Sequence, residues 1–170
     1  MPHQLLPVME FFDRGGPVLV AVLLTSILLW ALILERYWFF FFTYPKQLDQ
    51  IITIWEQRTD HTSWYALRIR EGLIADMIIA SKKYIVPIQA IISVLPLLGL
   101  LGTVTGMIAI FDVMNIFSTG NARGMASGIS RALLPTTAGL VASLVGLYFS
   151  SDLVHRATTL TDRARDRLQV

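Results

Sequence analysis

The chain has 170 residues, 54% of them apolar and only 15% charged, with Lys plus Arg at 14 against Asp plus Glu at 12. Low charge with a mean hydropathy of +0.59 excludes a disordered chain and leaves no dense basic face for nucleic acid, so no nucleic-acid partner is expected. There is no cysteine, which excludes a disulfide scaffold, and three scattered histidines have no zinc-ligand spacing, so neither metal nor cofactor is expected.

Residues 1–14 contain Leu5, Leu6, Val8, Met9, Phe11 and Phe12 beside Glu10, Asp13 and Arg14. They read as an amphipathic segment on the membrane surface, without the basic leader and small-residue cleavage site of a signal peptide. Three later stretches, 15–34, 84–111 and 132–151, carry no charge. About 20 helical residues cross the roughly 30 Å hydrocarbon core. The expected fold is therefore an all-α integral membrane protein with transmembrane helices at 15–43, 85–115 and 129–151. A cytoplasmic helical segment at 44–84, a periplasmic loop at 116–128 and a cytoplasmic helix at 152–170 complete it.

The first span ends on Glu35 and Arg36, followed by Tyr37, Trp38, the four phenylalanines 39–42, Tyr44 and Pro45. Such aromatics suit the membrane boundary. Adjacent helical residues do not face one another, so Glu35 and Arg36 are expected to reach separately for headgroups. In the segment after it, Leu48, Ile51, Ile52 and Trp55, and then Leu67, Ile74, Met77 and Ile78, follow helical spacing on either side of a turn at 59–63. The tail alternates Asp and Arg, as in Asp162 with Arg165, and reads as a solvated face. Ten basic residues lie in the middle segment and tail, against Arg14 and Arg123 on the other side with Arg131 at a boundary. That asymmetry puts the N-terminus outside and the C-terminus inside.

The second span contains PLLGLLGTVTGM at 96–107. Gly99, Thr103 and Gly106 share a helix face, and Gly102 with Gly106 forms a G-x-x-x-G pair that allows close backbone approach in lipid. On the third span Ala132, Thr136, Gly139, Ser143, Gly146 and Ser150 step along one face, and Pro135 predicts a local bend. One reading of this face is tight packing, with hydroxyls bonded to carbonyls of their own helix. Another is that Thr103 and Thr136 line a hydrated path. The two are compatible if several copies pack through their small faces around a narrow lumen.

Hydroxyls order water but hold no proton as charge at neutral pH. The interiors of spans two and three contain no acid, and Asp112 lies about 13 Å of helix beyond Thr103. If protons cross here, the titrating carboxylate comes from another chain. Asp112 and Arg131 are candidates for an ion pair at the outer rim, within one subunit or between neighbours; the alternative is an interfacial arginine reaching headgroups. His3, His61 and His155 fall in separate segments, which argues against an enzyme.

On the motifs at 96–107 and 126–142 (ASGISRALLPTTAGLVA), with three spans and an intervening cytoplasmic segment, the chain resembles the MotA/TolQ/ExbB proton-channel family, in its short ExbB-type form. The resemblance implies a pentamer in the bacterial inner membrane around single-span ExbD-like subunits. Those subunits bring the pore aspartate, and proton flow drives work on a TonB-like protein for nutrient uptake (iron–siderophore complexes, haem or cobalamin). Thr103 and Thr136 correspond to the family's pore threonines. Arg131 stands where many relatives have Glu, so no glutamate role transfers. A TolQ-like envelope energiser and a passive membrane scaffold remain the alternatives.

Overall fold

A computed structural model describes residues 6–61, 63–117 and 122–168, with side chains described at 16–61, 63–112, 114 and 125–168. The elements are α1 (Leu6–Trp38), a π-helix (Phe39–Thr43), α2 (Tyr44–Glu56), α3 (Trp64–Lys82), α4 (Ile85–Phe117) and α5 (Ala122–Arg167). No strand occurs among the described residues. Three stretches, 16–56, 64–112 and 125–167, are long and apolar enough to cross a membrane. The chain is an all-α, multi-pass membrane protein.

Local sequence explains where the helices break. Within α1, Gly16 has φ 68 and ψ −171 and is followed by Pro17. Proline disfavours helical geometry in the residue before it, and glycine alone takes a positive φ without a Cβ penalty. The side chains expected to lie on the membrane surface before this kink fall outside the described residues. Pro45 has no N–H to donate and sits at the start of α2. The Tyr44 amide reaches back to the Phe39 carbonyl, so the wider turn comes immediately before the proline.

The expected turn at 59–63 is present. The Ser63 side chain accepts from the Ala66 amide at 3.2 Å and so caps α3, while Asp60 accepts from the Ser63 amide at 3.0 Å; Thr62 lies outside the described residues. The connection between spans two and three is shorter than the loop read at 116–128. α4 runs to Phe117 and α5 starts at Ala122, where Ala, Arg and Met favour helix. α5 also continues through Pro135 and past residue 151 as one element. The charges that begin at Asp152 mark a change of surroundings, not a helix end.

The chain divides into two compact units, Met1–Trp30 with Ala90–Leu147 and Ala31–Gln89 with Tyr148–Val170. In the second unit, Arg36 corrects the expectation for the end of span one. It is only 2% exposed. Its Nε and a terminal nitrogen donate to the two Glu35 carboxylate oxygens at 2.8 and 3.0 Å, and its other terminal nitrogen donates to the Ala80 carbonyl at 3.0 Å. The guanidinium lies over the Phe39 and Tyr84 rings. Burial of the arginine draws the long Glu35 side chain around the helix, so this adjacent pair does meet. Tyr84, between α3 and α4, has φ 65, an uncommon conformation for a bulky residue.

The aromatic run divides between inside and outside. Trp38, Phe41 and Phe42 are exposed, whereas Phe40 and Tyr44 are buried, and Tyr44 donates to the Leu160 carbonyl at 2.7 Å. Tyr37 and Arg156 both donate to the same Asp152 oxygen at 2.6 Å. Trp55, Ala66, Ile74 and Leu168 form a core flanked by Ile51, Ile52 and Ile78. Leu67, expected on the inner face of α3, is exposed, because Ala66 and Ile74 set the phase of that face. The tail is more than a solvated face: Leu153, Ala157, Thr161, Ala164 and Leu168 make a buried stripe. Arg70 donates to the Leu168 carbonyl at 2.7 Å and to that of Arg165 at 3.4 Å, placing a cation on the negative end of α5.

Candidate ion-path seam

The first unit carries both sequence motifs. Its core is Leu19, Val22, Leu29, Ile92, Leu95 and Ala132. α4 and α5 pack antiparallel through small residues, since Ile92 meets Ser143, Leu95 meets Gly139, Gly99 meets Thr136, Gly106 meets Ala132 and Ile110 meets Gly128. The approach is close enough to exclude a methyl group. A Cβ on Gly99 would stand 2.8 Å from Thr136 Cα, one on Gly139 would stand 2.6 Å from the Leu95 carbonyl oxygen, and one on Gly102 would collide with Pro135 Cβ. Gly146 lies against Leu29 and Ile92, so α1 shares this packing. The small face of α5 thus meets α4 of its own chain.

Hydroxyl groups cross this seam. Thr136 Oγ1 donates to the Gly99 carbonyl at 2.7 Å and Ser143 Oγ donates to the Ile92 carbonyl at 2.9 Å. Thr103 donates instead within its own helix, to the Leu100 carbonyl at 2.7 Å. It stands one turn along α4 from Gly99, so the two sites share a helix face. Both Thr103 and Thr136 are half-buried. Each hydroxyl has placed its single proton on a carbonyl and retains lone pairs that accept from water or a protonated acid.

Two further threonines, Thr105 and Thr137, which neighbour Thr103 and Thr136 in T-V-T and P-T-T, are exposed and bond carbonyls of their own helices. Asp112 and Arg131 are exposed, and no ion pair joins them within the described chain. No three His, Cys, Asp or Glu side chains gather as a metal site among the described residues.

A tight seam of glycines and hydroxyls, with no acid of its own, is joined to an α2–α3 excursion. The model of the MotA/TolQ/ExbB proton channel family matches residues 47–166, which include both motifs and that excursion. The chain belongs to this family. It is similar to biopolymer transport protein ExbB-like 3 of Synechocystis sp., with 44% identity over 72 residues, covering 41% of this chain and 34% of that protein. It is also similar to ExbB-like 1 of the same organism, with 46% identity over 63 residues, covering 35% of this chain and 25% of that one. These matched stretches are about a third and a quarter of the relatives' lengths. The family and these relatives make the chain an ExbB-type protein of a proton-channel family, and its two motifs meet at the seam that Thr136 and Ser143 cross.

Proposed function

We propose that this ExbB-like chain is the housing of a proton-driven motor in the bacterial inner membrane, with its N-terminus periplasmic and its C-terminus cytoplasmic. Several copies, five by analogy with the family, surround ExbD-like single-span helices. Each partner helix brings an aspartate to the level of Thr103 and Thr136. The observation that carries this reading is the hydroxyl-lined α4–α5 seam without any acid, in a chain whose family conducts protons.

The chemistry is divided between the chains. The partner carboxyl takes up a proton on one side and releases it on the other. The threonine hydroxyls stay neutral, order water and accept a hydrogen bond from the protonated acid. Lipid and neighbouring copies cover the exposed Leu24, Leu97, Leu100, Val141 and Leu144. Motion of the partner helices is passed to a TonB-like protein that energises uptake through outer-membrane receptors.

Purification of the complex from membranes tests the reading. A small single-span protein with an aspartate near the start of its span is expected to co-purify, and a TonB-like third member fixes the pathway. A Tol-type third member would redirect the motor to envelope constriction. Proton conduction by the chain alone would contradict the division of labour.

A further inference from the structure

Asp112 and Arg131 are exposed charges, with Ile108 and Phe111 exposed beside Asp112 and Ile129 and Leu133 exposed beside Arg131. Ile110 faces Gly128 across the α4–α5 seam. At about 100° per residue, Asp112 points about 200° away from that contact, to the side of α4 turned from α5. Arg131 sits about 100° around α5 from Ala132, at the flank of the seam. The two thus face different ways on their helices, and no ion pair joins them among the described residues of one chain. Arg131 lines a surface recess of about 260 Å³ together with Ser127, Ser130 and Leu134. That recess offers a guanidinium and two hydroxyls, the donors a carboxylate accepts from.

We propose that the recess at Arg131 receives Asp112 of a neighbouring copy of this chain, so that a ring of ion pairs closes the assembly at this end of α4 and α5. Copies related by rotation about the membrane normal keep every residue at the same depth. The register of Ile110 with Gly128 puts Asp112 about 3 Å beyond that level and Arg131 about 4.5 Å short of it, an offset of about 7.5 Å that the two side chains span together. A carboxylate set between exposed apolar side chains is well served by such a charge-assisted partner. The inference rests on the multi-copy part of the proposed function and not on proton conduction.

The chain has no native cysteine, so engineered cysteines joined by a cross-linker report directly. Asp112→Cys with Arg131→Cys in one chain, treated in membranes with a short bis-maleimide that spans the offset, is expected to give a ladder of linked multimers, and neither single variant is expected to do so. Asp112→Arg and Arg131→Asp are each expected to lower the recovery of oligomer several-fold, and the double exchange is expected to restore it to within about twofold. Absence of the ladder while native mass spectrometry still finds the oligomer overturns the pair and leaves the proposed function standing. So does Arg131→Gln releasing an anionic phospholipid with the oligomer unchanged, because the recess is then a headgroup site. Recovery of the unmodified chain only as a monomer overturns both the pair and the multi-copy reading.

Discussion

The Thr136 hydroxyl donates to the Gly99 carbonyl at 2.7 Å, at the place where a methyl on Gly99 would collide with the Thr136 backbone. Hydrogen bond and close approach depend on each other. Only a residue without a side chain lets α5 come near enough for a threonine to reach a carbonyl on α4. The lone pairs of that threonine are thereby held in a fixed place.

Gly99→Ala therefore cannot be absorbed by rotation of a flexible side chain, because the atoms in its way are backbone. It is expected to cost about 1–3 kcal/mol, as overpacking does. Gly72→Ala on α3, with nothing within 4 Å, is expected to be neutral or to stabilise by up to about 1 kcal/mol through helix propensity. Thermal unfolding of the two variants in detergent compares them.

The Glu35–Arg36 pair predicts an asymmetry. Glu35→Ala leaves a buried guanidinium without its counter-charge, at a cost of about 3 kcal/mol. Arg36→Met fills much of the same volume and returns a 45%-exposed Glu35 to water, at a cost of about 1–2 kcal/mol. Chemical denaturation of both variants checks the order, and equal or reversed costs would argue against burial of Arg36.

Arg70→Ala removes the cation from the last carbonyls of α5. A loss of about 1 kcal/mol, confined to that end, is expected to speed hydrogen exchange of the Leu168 amide about fivefold, with amides along the α4–α5 seam unchanged.

The three spans are legible in the sequence because water-seeking charges are excluded from them, and the small-residue stripe on α5 because its spacing is helical. Which neighbour the stripe meets is not legible. Periodicity names a face and leaves open whether Thr136 turns to its own helix, to α4 or to another copy. Thr136 and Ser143 turn to α4, whereas Thr103, Thr105 and Thr137 stay with their own helices. The role of Arg36 was hidden because spacing rules describe exposed side chains, and a buried arginine gathers whatever acceptors lie within reach. On α3 the stronger hydrophobic signal is Leu67, yet it is the small Ala66 beside it that is buried in that core. In the tail the acids and arginines between its members hide the buried stripe in the same way.

Passive proton flux into vesicles containing the chain with its co-purified partner tests the role of the two threonines most directly. Thr103→Val and Thr136→Val keep the volume of the side chain and delete the hydroxyl, while Thr136→Ser keeps the hydroxyl. Conduction past the two threonines predicts that both valine variants assemble with the partner yet lose most of the flux, and that Thr136→Ser retains it. Undiminished flux in both valine variants would contradict a proton path at Thr103 and Thr136.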